Sequence, residues 1–470
     1  MNKDWEIVIG IEIHLELNTK TKMFSPALNS YGNEPNTSVT NIDLAYPGAL
    51  PLVNSAAIIK GIKLAKALHM TIDKLVRFDR KNYFYPDLTK GYQITQQFNP
   101  IGKDGSIQTK VNGQWKEVLI ERIHLEEDTA KSLHESQYTY LNYNRAGVPL
   151  IEIVSRPVIH SAEEAIVYIE AIRQTALVLN ISDAKMNEGS LRTDINISVR
   201  KKGTNDLNTR VEIKNLNSLS NVEKAINYEA NYQVQCYLEG KTFEQETKRF
   251  DEATETTISM RSKSDSVDYK YFPDPNLPYI NLSDELVDSV IIEEIPYDKE
   301  IRYVASGLNQ VQISQLLNNV EYSKYLDAIN AKDFKKSANI FFADIVSYIN
   351  QNNKNIATLS FTPQDAQKLI NFVIDNKINK ADIKKIIEAK DNSDDDLIKI
   401  IESHDLFIKE MSLSLDEVIN AILKENPDLE EEFKRNYQRA SKFMLGQAMK
   451  KTMGKANVAE LNKKLAERFQ

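Results

Sequence analysis

The segment "VIGIEIHLEL", residues 8–17, decides the fold of the N-terminal part of the chain. Isoleucine and leucine occupy its odd-numbered positions, and Glu12, His14 and Glu16 alternate with them. Successive side chains of a β-strand point to opposite faces of its sheet. The pattern therefore predicts a strand with one buried apolar face and one face that carries two carboxylates and an imidazole.

The composition is that of a soluble globular protein of two or three domains, with 470 residues, 41% hydrophobic and 27% charged. No uninterrupted apolar run approaches the ~18–20 residues of a membrane span, and the start of the sequence enters a strand without a signal peptide. We therefore expect a cytoplasmic protein with no membrane partner. The single cysteine, Cys236, excludes an internal disulfide framework. The net charge of −8 confines any nucleic-acid contact to a local basic patch.

Short alternating runs arrive in groups between a few long amphipathic segments over residues 1–295, which favours an α+β fold with a largely antiparallel sheet. Proline and glycine become rare afterwards, so residues 296–408 are predicted to form a helical domain. Residues 409–470 are predicted to form a helical tail, whose first helix opens with the capping-box spacing of Ser414 and Glu417.

Further acids interrupt apolar runs elsewhere in the N-terminal part: Glu126, Glu127, Glu152, Glu188 and Asp194. A carboxylate in a buried strand costs on the order of several kcal/mol unless it is paired or binds a metal. If the acids converge, they need a cation, and oxygen ligands without a cysteine cluster indicate Mg²⁺. The alternative is that each acid pairs with a nearby lysine or arginine or faces water.

Two details of this metal hypothesis stay open. Imidazole suits Zn²⁺ or Mn²⁺ better than Mg²⁺, so His14 is either a ligand or a neighbour of the ligands. Strict alternation places Glu126 and Glu127 on opposite faces of a strand, and the sequence does not decide which of them faces the metal.

Candidate phosphate-binding residues accompany the acids. The segment "RFDRKNYFYPD", residues 77–87, interleaves Lys81 with Tyr83 and other aromatics, as phosphate and nucleic-acid surfaces do. A tyrosine-rich core edge with a solvated turn is the alternative, and Lys214 also suits a plain cross-strand salt bridge. The sequence has no GxxxxGK[ST] loop, GxGxxG or G-x-S-x-G motif. ATP, if used, is therefore expected to bind through metal and scattered cations.

The same segments carry a family resemblance. "GIEIHLEL", "FDRKNYFYPD", "HLEEDTAK", "GVPLIEIVSRP", "EGSLRTDINIS" and "YKYFPDPNLP" occur in family order, followed near the C-terminus by "GQAMKKTMGKAN". Along its whole length the sequence resembles the B subunit of the tRNA-dependent amidotransferase. Thr193 and Lys270 depart from the family pattern, where cysteine and arginine are expected.

The resemblance implies a catalytic cradle of glutamine-synthetase-like fold over 1–295, a helical domain over 296–408 and a tRNA-contacting tail over 409–470. It implies a ligase that uses ATP and Mg²⁺ to convert misacylated Glu-tRNA(Gln), Asp-tRNA(Asn) or both to the amide through an acyl phosphate. It also implies a heterotrimer with an amidase, the A subunit, which releases ammonia from glutamine, and with a small C subunit.

The resemblance also implies roles for the candidate residues. The metal ligands come from Glu12, His14, Glu126, Glu127 and Glu152. The cofactor-binding cations are Lys81, Arg192, Lys214 and Arg249. The catalytic residues are Lys81, Tyr83, Glu188 and Asp194.

Basic residues of the tail suit tRNA phosphates: Lys450, Lys451, Lys455, Lys463, Lys464 and Arg468. A solvated helix face is the alternative for this cluster. Two other functions stay open for the whole chain, namely a carboxylate–amine ligase that acts on a small molecule and a non-catalytic tRNA-docking subunit.

Overall fold

The computed structural model describes residues 3–262, 268–408, 414–452, 456 and 458–469. The chain divides into two compact units, Met1–Tyr303 and Val304–Gln470. The division into three domains at residues 295 and 408 stays a prediction. None of the helices within the described residues has the length and apolar character that crossing a bilayer requires.

The first unit is built around a nine-stranded sheet with the strand order β14-β13-β12-β11-β1-β10-β7-β6-β2. Every neighbouring pair is antiparallel except β12 and β13, which run parallel. The strands in chain order are β1 (Trp5–Glu16), β2 (Thr71–Ile72), β3 (Leu75–Val76), β4 (Asp79–Asn82), β5 (Tyr92–Thr95), β6 (Gly102–Val111), β7 (Gln114–Glu127), β8 (Lys131–Glu135), β9 (Tyr138–Asn142), β10 (Pro149–Ser155), β11 (Leu191–Lys201), β12 (Val211–Lys214), β13 (Glu246–Asp251), β14 (Thr256–Ser262), β15 (Phe272–Pro273) and β16 (Ile280–Asn281). The predicted α+β class with a largely antiparallel sheet is confirmed.

The strand β1 lies in the middle of this sheet and pairs with β10 on one side and β11 on the other. Its odd-numbered side chains Ile9, Ile11, Ile13 and Leu15 are at most 1% exposed. The even-numbered side chains of β1 face the opposite side, as the alternation predicts. The buried face joins the main apolar core of the unit.

Helices pack against the apolar face of the sheet and complete its core: α1 (Ser55–Ala67), α2 (Ala162–Val178) and α3 (Leu219–Leu238). Their apolar residues recur at helical spacing, and their first turns are capped by Asn54, Ser161 and Ser218. Two shorter helices follow, α4 (Asp284–Ser289) and α5 (Pro296–Ala305). With one face closed by helices, only the other face of the sheet remains available for a site.

The second unit is helical throughout its described elements, as predicted. Its α-helices are α6 (Gln310–Asn318), α7 (Val320–Ala328), α8 (Phe334–Ile340), α9 (Ser347–Gln351), α10 (Pro363–Ile374), α11 (Ile383–Asp391), α12 (Leu397–Ser403), α13 (Leu415–Glu425), α14 (Leu429–Arg435), α15 (Tyr437–Lys451) and α16 (Val458–Phe469). A π-helical turn spans Phe341–Val346, and 3₁₀ turns span Ile356–Thr358 and Lys380–Asp382. Helices α13–α16 enclose an apolar core of their own, and the predicted capping box of Ser414 and Glu417 is confirmed.

Two glycines of the large sheet differ in the space around them, which gives a test of the packing. A Cβ on Gly105 would lie 2.4 Å from the backbone oxygen of Leu68, whereas a Cβ on Gly10 would meet only ordinary contacts at 3.7 Å or more. We expect Gly105→Ala to destabilise the protein by about 1–3 kcal/mol, because the backbone of Leu68 must move. Gly10→Ala should leave the melting temperature within about a degree of the parent value. Thermal unfolding of both variants checks the packing, and equal melting temperatures would contradict it.

Candidate active site

Three neighbouring strands bring acids and imidazoles together on the polar face of the sheet. In the register of β1, β10 and β7, His14 lies opposite Glu152, and Glu152 lies opposite His124. His14 Nε2 is 3.2 Å from Glu152 Oε2 and 3.7 Å from Glu126 Oε1. His124 Nε2 lies 3.3 Å and 3.7 Å from the same two carboxylates. We call these four residues the histidine–carboxylate cluster.

The electrostatics of the cluster show how strongly its charges depend on each other. Burial alone would lower the pKa of His14 and His124, but the carboxylates Glu152 and Glu126 raise both pKa values to about 9. Burial would raise the pKa of Glu152, yet the two imidazoles hold it well below its usual range. The negative charge of Glu152 is therefore balanced by protons on the imidazoles, and another cation could take their place.

The donor set of the cluster fits a divalent metal. One ligand atom each from His14, Glu126 and Glu152 lies within 4.8 Å of the others, and Glu126 is 4% exposed. Two carboxylates and an imidazole are a ligand set that Mg²⁺ and Mn²⁺ accept. A metal requires neutral imidazole, so it would replace the protons that balance the carboxylates here.

A second group of acids lies beside this cluster on β1, β11 and β12. Ligand atoms of Glu12, Asp194 and Glu212 lie within 4.8 Å of one another. Burial, with the nearby charges of Glu152, Asp194 and Glu212, raises the pKa of Glu12. Lys214 Nζ balances part of this charge, at 2.5 Å from Asp194 and 2.9 Å from Glu212. We call Glu12, Asp194 and Glu212 the acidic triad.

A cleft of about 380 Å³ opens over these groups, and half of the predicted site residues line it. We call it the polar cleft; its lining includes His14, Lys81, Glu126, Arg192, Asp194 and Lys214. Arg192 is held by Asp128, whose Oδ2 lies 2.7 Å from Arg192 Nη2. The cleft thus combines acids that can bind metal with cations that can bind phosphate.

Lys81 lines the polar cleft and interacts electrostatically with Glu126 and Glu152 of the histidine–carboxylate cluster. Burial would lower its pKa, but the negative charge of Glu126 raises it above the usual value, so the ammonium is charged. Its Nζ lies 4.7 Å from the ring centroid of Tyr269. Among the described residues, no ion-pair partner is within 4.0 Å of Lys81, which leaves its ammonium available to an anionic ligand.

Glu127 is not brought to the cluster. Its Oε2 lies 2.7 Å from Lys90 Nζ, and its Oε1 accepts a hydrogen bond from the backbone N–H of Ile94. The physical reason is strand alternation in β7, since Ile123 and Leu125 are fully buried and Glu127 continues their face. Glu126 is the member of the pair that faces the polar cleft.

Five other expected residues lie outside the lining of the polar cleft: Glu12 and Glu152, which belong to the acidic triad and the histidine–carboxylate cluster, and three residues that join neither group. Tyr83 packs edge-on against Tyr269 with ring centroids 5.8 Å apart. Glu188 is half-exposed and pairs with Lys185 at 2.9 Å. Arg249 pairs with Asp251 at 3.2 Å, although it is the cross-strand neighbour of Lys214. Direct contact with a bound ligand is therefore better supported for the residues that line the cleft than for Tyr83, Glu188 and Arg249.

Three residues of the site are not among those that the sequence predicted. His124 precedes Glu126 by one alternation step in β7, so the same reasoning that selected His14 could have found it. Glu212 lies two residues before Lys214 in β12, so strand alternation places both on one face and could also have identified Glu212. Asp128 follows the strand end, and no pattern in the sequence links it to Arg192 across the sheet.

The tail cations are partly neutralised by acids of helices α13 and α16. Lys451 pairs with Glu425 and Lys464 with Asp416, and Lys463 lies 3.9 Å from Glu467. Lys455 lies outside the described residues. Lys450 is exposed, and the tail therefore presents fewer uncompensated charges than its sequence suggests.

Known protein families match both the N-terminal and the C-terminal part of the chain. A family model described as the GatB/GatE catalytic domain matches residues 7–288, and one described as the GatB domain matches residues 324–469. The B subunit of the aspartyl/glutamyl-tRNA(Asn/Gln) amidotransferase from Mycoplasmopsis agalactiae is 48% identical, over 98% of both chains. The proteins of that name from Mesoplasma florum and Levilactobacillus brevis are 46% identical (97% of this chain and 96% of the relative) and 40% identical (99% and 100%).

The chain belongs to the family of amidotransferase B subunits. The resemblance in the sequence motifs is thereby confirmed, and with it the assignment to a tRNA-dependent amidotransferase. The matched catalytic domain contains the whole polar cleft, the histidine–carboxylate cluster and the acidic triad.

The assignment of Glu126 rather than Glu127 to the metal-binding face of this B subunit can be tested directly. Glu126→Gln removes one anionic ligand and should weaken Mn²⁺ binding about tenfold or more, whereas Glu127→Gln should leave it unchanged. Mn²⁺ titration followed by electron paramagnetic resonance measures both affinities without any substrate. A larger loss in Glu127→Gln than in Glu126→Gln would contradict the site geometry.

Proposed function

We propose that this B subunit uses ATP to activate the side-chain carboxylate of misacylated Glu-tRNA(Gln), Asp-tRNA(Asn) or both, and passes the acyl phosphate to ammonia. The observation that carries the proposal is the joint lining of one cleft by acids suited to Mg²⁺ and by the cations Lys81, Arg192 and Lys214. The relatives' names include the aspartyl/glutamyl-tRNA(Asn/Gln) amidotransferase, which supplies the substrate class.

Further parts of the proposal come from the family rather than from this chain's geometry. We infer two partners in a heterotrimer, in the cytoplasm: an ammonia-releasing amidase (the A subunit) and a small C subunit. The glutamine-synthetase-like relationship of the catalytic fold is likewise a prediction, supported by a sheet that carries strand-borne acids on one face.

In the first step an oxygen of the side-chain carboxylate attacks the γ-phosphorus of ATP, and the bond to the bridging oxygen breaks so that ADP leaves. Lys81 contributes a charged ammonium beside Glu126, where it can stabilise the transferring phosphoryl group. Arg192 and Lys214 are fixed by Asp128 and Asp194, so little reorganisation is needed when phosphate binds. Mg²⁺ held by His14, Glu126 and Glu152 would neutralise negative charge on the phosphate oxygens.

In the second step the nitrogen of ammonia attacks the acyl carbon, and the carbon–oxygen bond to phosphate breaks. Phosphate leaves, the attacking nitrogen gives up one proton to water or to the departing phosphate, and the amide remains on the tRNA. A free carboxylate reacts poorly with an amine, because its charge repels the nucleophile and oxide is a bad leaving group. The polar cleft offers metal ligands and cations, so activation is assigned to the substrate rather than to a covalent enzyme intermediate.

A trapping experiment tests this function. We expect the assembled complex with ATP, Mg²⁺, Glu-tRNA(Gln) and hydroxylamine to form the γ-hydroxamate, with one ADP for each hydroxamate. Lys81→Ala should lower the rate about 100-fold or more, because a phosphate-binding cation is lost. Lys224→Ala is the matched control, since Lys224 is half-exposed and pairs with Glu255 away from the cleft.

The same experiment separates the competing functions. A non-catalytic docking subunit would give no ADP that depends on aminoacyl-tRNA, and a small-molecule ligase would give hydroxamate without tRNA. AMP and pyrophosphate in place of ADP, or phosphate covalently bound to the protein, would contradict the acyl-phosphate route.

The tail has a separate proposed role in tRNA binding. Helices α13–α16 enclose their own apolar core and carry the basic cluster, so deleting 409–470 should leave the catalytic unit folded. We expect the deletion to weaken tRNA binding and to reduce its salt dependence, because phosphate contacts release counterions. Filter binding across a salt series measures both, and an unchanged affinity and slope would reject a role of the tail.

A further inference from the structure

A second cleft lies on the same polar face of the sheet, on the far side of the acidic triad from Lys81. It has a volume of about 190 Å³. Val8, Gly10 and Glu12 line it from β1, and Asn196 and Ser198 line it from β11. The register pairs Gly10 with Asn196 and Val8 with Ser198, so these residues form one continuous floor.

The second cleft and the polar cleft meet at the acidic triad. Glu12 lines the second cleft and Asp194 lines the polar cleft, and these two residues are direct cross-strand partners. Asn196 donates a hydrogen bond of 2.9 Å to Glu12 Oε1. Along β1 the even-numbered residues pass in order from Gly10 through Glu12 to His14, a distance of about 13 Å at strand spacing. A single elongated ligand can therefore occupy both clefts.

The lining of the second cleft differs chemically from that of the polar cleft. Its floor and walls are apolar or lack a side chain at Val8, Gly10, Val154, Pro157 and Leu207. Asn196 and Ser198 add polar groups to the floor, and Glu121, Asn208 and Arg210 lie at the more exposed rim. Among the described residues that line it, Arg210 is the only cation, so the cleft is poorly suited to a phosphate. It is suited to an aromatic heterocycle with polar edges.

A β-bulge in β7 directs Glu121 to this rim. The register of β10 and β7 shifts between Val154 and Ser155, which pair with Arg122 and Ile120, so Glu121 is the extra residue. Among the described residues Glu121 has no hydrogen-bond or ion-pair partner. Bulges next to active sites commonly re-aim a side chain in this way. A carboxylate at the rim can accept hydrogen bonds from sugar hydroxyls.

We propose that the second cleft binds an adenosine whose attached reacting group extends past the acidic triad into the polar cleft. The inference rests on the proposed function, which uses two adenosine-bearing substrates. One is ATP, and the other is the tRNA, whose 3′-terminal adenosine carries the amino acid. A cavity of about 150 Å³ is enough for benzene, so the open cleft of 190 Å³ admits a heterocycle.

Kinetics of the assembled complex test the proposal with variants that keep the fold. A Cβ at Gly10 meets no atom closer than 3.7 Å, Gly10 lines the cleft, and Leu207 is 66% exposed, so both substitutions act at the cleft; equal melting temperatures of the variants and the parent confirm that the fold is kept. Gly10→Val fills the floor and should raise the KM of one adenosine-bearing substrate about tenfold or more. Leu207→Ala removes apolar contact and should raise the same KM by a smaller factor.

Glu121→Gln has a matched control in Glu117→Gln, earlier in the same strand. Glu117 accepts a hydrogen bond from Ser106 and does not line the second cleft. We expect Glu121→Gln to raise the same KM as Gly10→Val, and Glu117→Gln to leave both KM values unchanged. Glutamine hydrolysis by the partner amidase without ATP and tRNA should be equal in all variants.

Free adenosine is the probe that separates the two sources. Inhibition competitive with ATP, with the KM of ATP raised in the variants, assigns the cleft to the nucleotide. Inhibition competitive with aminoacyl-tRNA, with its KM raised, assigns the cleft to the terminal adenosine. Unchanged KM values for both substrates in Gly10→Val and Leu207→Ala, or a fall in kcat alone, overturn the proposal. If the variants give this result but the parent complex still forms the amide with ATP, only the assignment of the second cleft is wrong and the proposed function still stands.

Discussion

Two carboxylates, Glu126 and Glu152, lie within 4 Å of two imidazoles on one face of a sheet whose other face is closed by helices. The rest of the catalytic unit depends on keeping these charges on that face. Because side chains alternate, a shift of register by one residue would move Glu152 into the core and Ile153 into the cleft. The burial of Ile11 and Ile13 sets the register of β1, and this register also places Glu12 and His14 on the polar face.

The charge balance of the polar cleft explains why so many of its ionic groups are paired. Lys214 is held by Asp194 and Glu212, and Arg192 is held by Asp128. Fixed cations cost little reorganisation when a phosphate arrives, whereas mobile ones would have to be ordered during the reaction. Lys81, without an ion-pair partner among the described residues, is the cation that can respond most directly to a bound anion. The arrangement favours an anionic ligand together with a metal over either one alone.

The parts of this site that follow from local alternation could be predicted from the sequence. The face shared by Glu12 and His14 and the fold class are of this kind, because both depend on patterns within single strands. The pairing of β1 with β10 and of β10 with β7, which unites His14, Glu152 and His124, could not be predicted, because strand order is a long-range property. Alternation shows that only one of Glu126 and Glu127 can face the metal, but the sequence does not decide which; the burial of Leu125 on the face of Glu127 decides it. Glu188 and Arg249 form ion pairs close in sequence that residue type alone does not reveal.

The proposed chemistry requires that an oxygen of the substrate carboxylate becomes bonded to the γ-phosphorus of ATP. This bond is tested most directly with Glu-tRNA(Gln) labelled with ¹⁸O in the γ-carboxylate, ATP, Mg²⁺ and glutamine in the assembled complex. Mass spectrometry of the released phosphate follows the label. We expect one ¹⁸O atom to appear in inorganic phosphate for each amide formed. Unlabelled phosphate, or label in AMP, would contradict the acyl-phosphate route.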